Sequence, residues 1–235
     1  MKELEAIFFD FGGTMVSEES DRVAHYHIAD FVKKRYGIPL SHEEIDKFLT
    51  HDLLVEIENA EQKWPDVNGI LKNSIEKLAS KFGKTLSEEE KENFVKTYID
   101  LHIKYMELFP DVLPALEKLR SEFKGHIGII SDIVTDLIYG VLKKFDLEKF
   151  FDSVTTSEEV GVGKPNPKIF RVAFEKAGVK GEKSIYVGNS PKHDVLGARR
   201  VGMKVILVGP EVHQLANFKV KNFSEILPII LDGRL

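Results

Sequence analysis

The 235-residue sequence predicts an α/β protein: a doubly wound parallel sheet whose first strand is followed by a long helical insert. Three observations carry this. After Pro110, short apolar runs alternate with helical patterns, and that alternation implies parallel strands joined by right-handed crossovers. Between about Ser20 and Leu108 no strand pattern occurs, and apolar residues recur at helical spacing. Before the insert, the run Leu4-Glu5-Ala6-Ile7-Phe8-Phe9 leads straight into Asp10-Phe11-Gly12-Gly13-Thr14, which reads as a buried strand and a tight turn.

The elements follow in chain order. Ala24, Ile28, Phe31, Val32 and Tyr36 share one helical face, which Gly37-Ile38-Pro39 terminates. Phe48, Leu49, Asp52 to Ile57 and Trp64 predict a second helix ahead of Pro65. Ile70, Leu71, Ile75, Leu78, Ala79 and Phe82 mark a third, stopped at Gly83. Ser87-Glu88-Glu89-Glu90 is a capping box, followed by Phe94, Tyr98, Leu101 and Tyr105 along a fourth. Four such helices with short connections can form a small bundle. Beyond Pro110, helices over about 111–123, 134–145, 167–177 and 193–201 precede the strands 127–130, 153–156, 184–187 and 204–208. The expected division is a Rossmann-like α/β core from residues 1–16 and 110–235, with 17–109 inserted as a second, helical domain.

Composition narrows the function classes. The charge is −5, from 33 basic and 38 acidic residues with no basic block, which argues against a nucleic-acid partner. There are no cysteines, so disulfides, thiolate nucleophiles and Cys-ligated zinc are excluded. The acidic start Met1-Lys2-Glu3-Leu4-Glu5 does not read as a signal peptide, and no apolar run approaches membrane-span length. A cytoplasmic protein is the expectation. The histidines show no ligand spacing at the strand ends, and His25 and His27, two apart, do not share a helix face.

In open parallel sheets, ligands bind beyond the carboxyl ends of the strands. Those ends carry Asp10 with Gly12, Gly13 and Thr14; Ser131-Asp132; Gly161 through Lys164 to Pro167; and Gly188-Asn189 through Asp194. Carboxylates, a hydroxyl, an ammonium and glycine-rich turns therefore share one edge. A buried carboxylate can attack an electrophile, and a lysine beside it offsets the repulsion between two anions.

These four segments, in this order, resemble the motifs of the haloacid dehalogenase-like (HAD) hydrolase superfamily. The strongest is Gly161 to Phe170, which reads GxGKPxPxIF, and the insert resembles that family's helical cap. The resemblance implies a phosphatase of a small phosphorylated molecule. Asp10 would be the nucleophile, forming an aspartyl-phosphate, with Lys164, Ser131 and Thr14 completing the catalytic set. Ser131, Asp132, Gly13 and Lys164 would surround the substrate, although the side chains of Asp132, Lys192 and His193 read as surface groups. Mg²⁺ is implied as cofactor, held by Asp10, the Gly12 carbonyl, Asn189 and Asp194.

Two positions depart from the family pattern. Phosphatases of this type carry an acid/base Asp where Gly12 stands, and an Asp where Asn189 stands. The first change removes general acid–base help worth about 10²–10⁴-fold. The second removes a negative charge from the metal site, so metal affinity is expected to fall unless Asp194 compensates. Weak or specialised phosphatase activity is the primary reading. The alternatives are a 2-haloacid dehalogenase-like hydrolase, which needs no metal, and a non-catalytic protein that binds a phosphorylated ligand.

Overall fold

A computed structural model describes residues 4–233; residues 1–3 of the expected core segment lie outside the described residues. Six parallel strands form one sheet in the order β3-β2-β1-β4-β5-β6. They are β1 (Ala6–Phe9), β2 (His126–Ser131), β3 (Ser153–Thr156), β4 (Ser184–Gly188), β5 (Lys204–Val208) and β6 (Phe218–Val220). The Asp10 strand, β1, lies in the interior of the sheet, in register with both β2 and β4.

Side chains alternate across a strand, and here both faces are covered. Ile7, Phe9, Ile129 and Val187 pack on one face against helices α5 (Val112–Glu122), α6 (Thr135–Lys144) and α10 (Ile226–Leu231). Ala6, Phe8, Tyr186 and Leu207 pack on the other against α8 (Pro167–Ala177) and α9 (Leu196–Arg200), with the short helix α7 (Ser157–Val160) beside them. β1 is wholly apolar and buried, and the interiors of β2, β4 and β5 are buried apolar runs as well.

Between β1 and α5 the chain forms four helices: α1 (Glu18–Tyr36), α2 (His42–Glu58), α3 (Val67–Ser80) and α4 (Glu88–Tyr105). They enclose a hydrophobic cluster of their own, including Ile28, Leu49, Leu71 and Phe94. Ser41 and Ser87 both close capping boxes, with Glu44 and Glu90. Two linkers join this bundle to the sheet and run side by side, tied by Ser17 N–H to the Glu107 carbonyl (2.9 Å) and Phe109 N–H to the Met15 carbonyl (2.9 Å).

Three details differ from the sequence reading. The second helix ends at Glu58, capped by Asn59, so Trp64 lies in an irregular segment whose N–H reaches the Gly161 carbonyl at 2.8 Å. The expected helix 193–201 begins as a π-type turn over Pro191–Val195 and becomes regular only at Leu196. Strand β6 and helix α10 escaped notice, since β6 has three residues and only Val220 is fully buried. Among the described residues, no helix is long and apolar enough to cross a membrane.

Candidate active site

The carboxyl ends of β1, β2 and β4, with the loop after α7, open on one cavity of about 860 Å³ between the sheet and the bundle. Asp10, Gly12, Gly13, Ser131, Asp132, Lys164 and Asp194 line it on the sheet side. Asp10 follows β1 directly; its N–H donates to the Val187 carbonyl at 2.8 Å, which continues the ladder one residue past the strand.

At its floor lies a buried ionic cluster. Lys164 Nζ donates to Asp10 Oδ1 at 2.7 Å, to Asp194 Oδ1 at 2.6 Å and to the Tyr186 hydroxyl at 3.1 Å. The ammonium has three donors, and all three are used. The Tyr186 hydroxyl in turn donates to the Ile130 carbonyl at 2.8 Å. Burial pushes the Asp10 carboxyl up to about 6; Lys164 pulls it back, and Asp194 adds to the rise. Burial also opposes the charge on Lys164, but Asp10 and Asp194 outweigh it and hold the ammonium well above its ordinary value. Two carboxylates against one ammonium leave the cluster with an excess negative charge once Asp10 ionises.

The second oxygen of Asp10 faces a different group. The end of the Asn189 amide turned toward it lies 3.2 Å from Asp10 Oδ2, 3.3 Å from the Gly12 carbonyl and 3.2 Å from Thr14 Oγ1. Thr14, fully buried, also lies 3.3 Å from Asp10 Oδ2. Four polar atoms thus crowd one spot. Two arrangements satisfy them: an amide N–H₂ donating to the oxygens, or the amide oxygen turned in with a cation drawing all of them together.

Several sequence expectations change. Asp194 was expected to ligate metal; its Oδ1 accepts from Lys164 Nζ at 2.6 Å and its Oδ2 accepts the Ser190 N–H at 2.8 Å, so each oxygen already has a protein donor. Asp132 was read as a surface group; its Oδ1 accepts the Lys164 N–H at 2.8 Å and the Ser157 hydroxyl. His193 is likewise no surface bystander, because Nδ1 donates to the Lys164 carbonyl at 2.8 Å. Lys192 is exposed and pairs with Glu58 of the bundle. Gly13 was expected beside the substrate; its N–H donates to the Val16 carbonyl at 2.9 Å and is not free for a ligand. Its role is steric: φ is +70°, and a Cβ there would overlap the Asn189 amide. Ser131 is buried at the end of β2 and lines the cavity as expected of its position. Sequence reasoning missed Tyr186, which looks like any aromatic of a buried strand. It also missed Glu18, whose Oε1 approaches the Gly13 backbone from the first turn of α1.

A family model described as haloacid dehalogenase-like hydrolase matches residues 7–208. The chain is 31% identical over 234 residues to a glyceraldehyde 3-phosphate phosphatase of Methanothermobacter thermautotrophicus, covering 97% of this chain and 96% of that one. Among solved structures it is similar to a HAD phosphatase from Thermococcus onnurineus (TM-score 0.67, 26% identity, 96% of this chain and 97% of that one). It is also similar in fold to the magnesium-bound YfnB of Bacillus subtilis (TM-score 0.77, 16% identity, 97% and 99% covered).

Proposed function

The chain belongs to the haloacid dehalogenase-like hydrolase family, and we propose that within it this protein is a Mg²⁺-assisted phosphatase of a small phosphorylated metabolite, acting in the cytoplasm. The observation that carries the reading is the division of labour at Asp10. One carboxylate oxygen is clamped by Lys164, and the other faces a cluster of hard oxygens.

In this reading Asp10 attacks the phosphorus, and the bond to the leaving oxygen breaks as the Asp10 oxygen–phosphorus bond forms. Water then cleaves the aspartyl-phosphate and returns Asp10. Lys164 lowers the repulsion between Asp10 and the phosphoryl oxygens, and Asp132, His193, Asp194 and Tyr186 fix its position. Ser131 lies where it can donate to a phosphoryl oxygen. Asp10 Oδ2, the Gly12 carbonyl and Asn189 Oδ1 are the donors that would hold Mg²⁺, a hard cation that takes such oxygens with several waters. The excess negative charge of the buried cluster favours a cation there. Bound, Mg²⁺ would neutralise charge on the transferring phosphoryl group. No side chain at position 12 protonates the leaving oxygen, so turnover of poor leaving groups should be slow. Residues 17–109 serve as a cap over the core formed by 1–16 and 110–235, and covering the cavity limits the access of water to the reaction.

The test is hydrolysis of p-nitrophenyl phosphate and of glyceraldehyde 3-phosphate, with Mg²⁺ and with a chelator. Phosphate release that needs Mg²⁺ and is lost in Asp10→Asn supports the proposal. Chloride release from 2-chloropropionate without metal would replace it with the dehalogenase reading. Tight binding of phosphorylated ligands with no turnover of any would replace it with a non-catalytic one.

A further inference from the structure

The bundle side of the same cavity carries a second polar cluster that the hydrolytic chemistry does not use. His25 on α1 and His102 on α4 meet with their Nε2 atoms 3.3 Å apart and their rings nearly perpendicular, at 89°. The other nitrogen of each ring is committed. His102 Nδ1 lies 2.8 Å from the Tyr98 carbonyl, which can only accept, so Nδ1 carries the hydrogen. His25 Nδ1 lies 2.7 Å from the Asp46 carboxylate, and the same argument places a hydrogen there. Each neutral ring therefore turns a bare lone pair toward the other. Two lone pairs at this distance repel unless something positive sits between them.

Asp21 completes the cluster. It stands one helical turn before His25 on α1, with Oδ2 3.7 Å from His25 Nε2 and Oδ1 3.6 Å from His102 Nε2. Two nitrogens held tetrahedrally by one zinc ion at about 2.0 Å are themselves about 3.3 Å apart. The observed separation matches that edge. Asp21 is half-exposed and needs only a small side-chain rotation to close its share. His102 is buried, which fixes the site's inner wall. The Asp46–His25 contact is the carboxylate–histidine pairing that orients ligating imidazoles and raises their basicity.

We propose that His25 Nε2, His102 Nε2 and Asp21 form a second cation site, in the helical bundle, that takes a first-row transition dication of the zinc type. Three protein ligands leave a fourth position open, and all three residues line the cavity that Asp10 lines. The site differs in chemistry from the all-oxygen cluster at Asp10, so the two select different ions: imidazole suits zinc, and carboxylate with carbonyl suits magnesium. The inference does not depend on the phosphatase reading, because it concerns binding without turnover.

The experiment is calorimetric titration of ZnCl₂ into chelator-stripped, full-length protein at neutral pH, with Mg²⁺ in excess. One zinc per chain is expected, bound in the micromolar range or tighter and not displaced by Mg²⁺. His25→Gln and His102→Gln should each abolish that binding, and Asp46→Asn should weaken it by about 10-fold or more. Asp10→Asn should leave it unchanged, which separates it from the site below. Co²⁺ in place of zinc should give the intense visible absorption of a four-coordinate N/O site, lost in His25→Gln. If His102→Gln fails to fold, the His25 and Asp46 variants decide, since both residues are partly solvent-exposed. Absence of zinc binding by the wild type would mean that the gap holds only a proton shared between the imidazoles. Zinc binding equally tight in His25→Gln would place the ion elsewhere. Either result overturns the proposal.

Discussion

Asp10 works as a nucleophile only when ionised, yet its surroundings resist ionisation. Burial raises its carboxyl to about 6 despite the Lys164 ammonium at 2.7 Å. The acid limb of kcat/KM, measured across pH 4.5–8 (roughly the window in which a perturbed carboxyl titrates), should bend near that value. The linkage to stability has a definite sign. A carboxyl whose folded pKa is raised contributes stability that is full below its unfolded pKa and is lost as pH rises through the folded one. At neutral pH ionised Asp10 therefore costs stability. Asp10→Asn should show a higher Tm than wild type at pH 7 and an equal one near pH 4, while losing turnover. The two neighbouring glycines are opposites. Gly12 has no positive φ, and a Cβ there meets nothing within 4 Å, so Gly12→Asp should fold normally. Together with Asn189→Asp it should raise phosphomonoester turnover, by restoring a proton donor and a metal charge. Steady-state rates of the single and double variants check this; folded, Mg²⁺-binding variants with no gain would show that the missing acids do not limit the reaction. Gly13→Ala, at φ +70° and against Asn189, should lower both Tm and rate.

At the scale of the element, helix caps carry much of the local determination. Ser87 accepts the Glu90 N–H at 3.2 Å while the Glu90 carboxylate accepts the Ser87 N–H at 2.9 Å. Ser87→Ala should cost about 1 kcal/mol, and in a chain of this size that is a Tm drop of roughly 2–4 °C in a thermal melt. The same cap was legible in the sequence, as were the helix faces and the first five strands, because a 3.6-residue periodicity marks a helix's buried face and a short apolar run bounded by turn residues marks a buried strand. What lay beyond reach depended on long-range partners. Among the described residues Phe218-Lys219-Val220 pairs with β5 alone, and nothing local marks so short an edge strand. Trp64 looked helical but leaves α2 to bond the Gly161 carbonyl, 97 positions away in the chain by the two residue numbers. The strand-end residues were readable because the sheet rule says where to look. Their partners were not: Asp194 reads as a metal ligand until Lys164 and Ser190 are seen to occupy its oxygens. Asp21 and His25, one turn apart, were a readable pair, but His102 joins them only through the packing of α1 against α4.

At the scale of the molecule, the bundle meets the sheet domain in two places. One is the pair of linkers, extended by Ile99 of α4 and Val134, which pack against both hydrophobic clusters. The other is a latch across the cavity mouth. The Ala60 carbonyl accepts the Gly163 N–H at 2.6 Å, the Glu61 carbonyl accepts Asn166 Nδ2 at 2.7 Å, and Glu58 and Glu61 pair with Lys192 and Arg200. The latch holds the loop that carries Lys164, while the Lys164 side chain itself is fixed by Asp10, Asp194 and Tyr186. The two ion pairs are exposed, and such pairs contribute about 0–1 kcal/mol each to stability. Both pairs run between the bundle and the sheet side and add no contact within either. Glu58→Ala combined with Glu61→Ala should therefore barely move the Tm. It should raise KM several-fold and leave kcat nearly unchanged, because only closure has been weakened. Gly163→Val acts on the same contact by sterics, since a Cβ there already lies 3.0 Å from the Ala60 Cβ. It should raise KM further and increase the radius of gyration measured by small-angle scattering. Unchanged KM and scattering in both variants would mean that the contact between Ala60 and Gly163 is a fixed seam, and that substrate reaches Asp10 by another route.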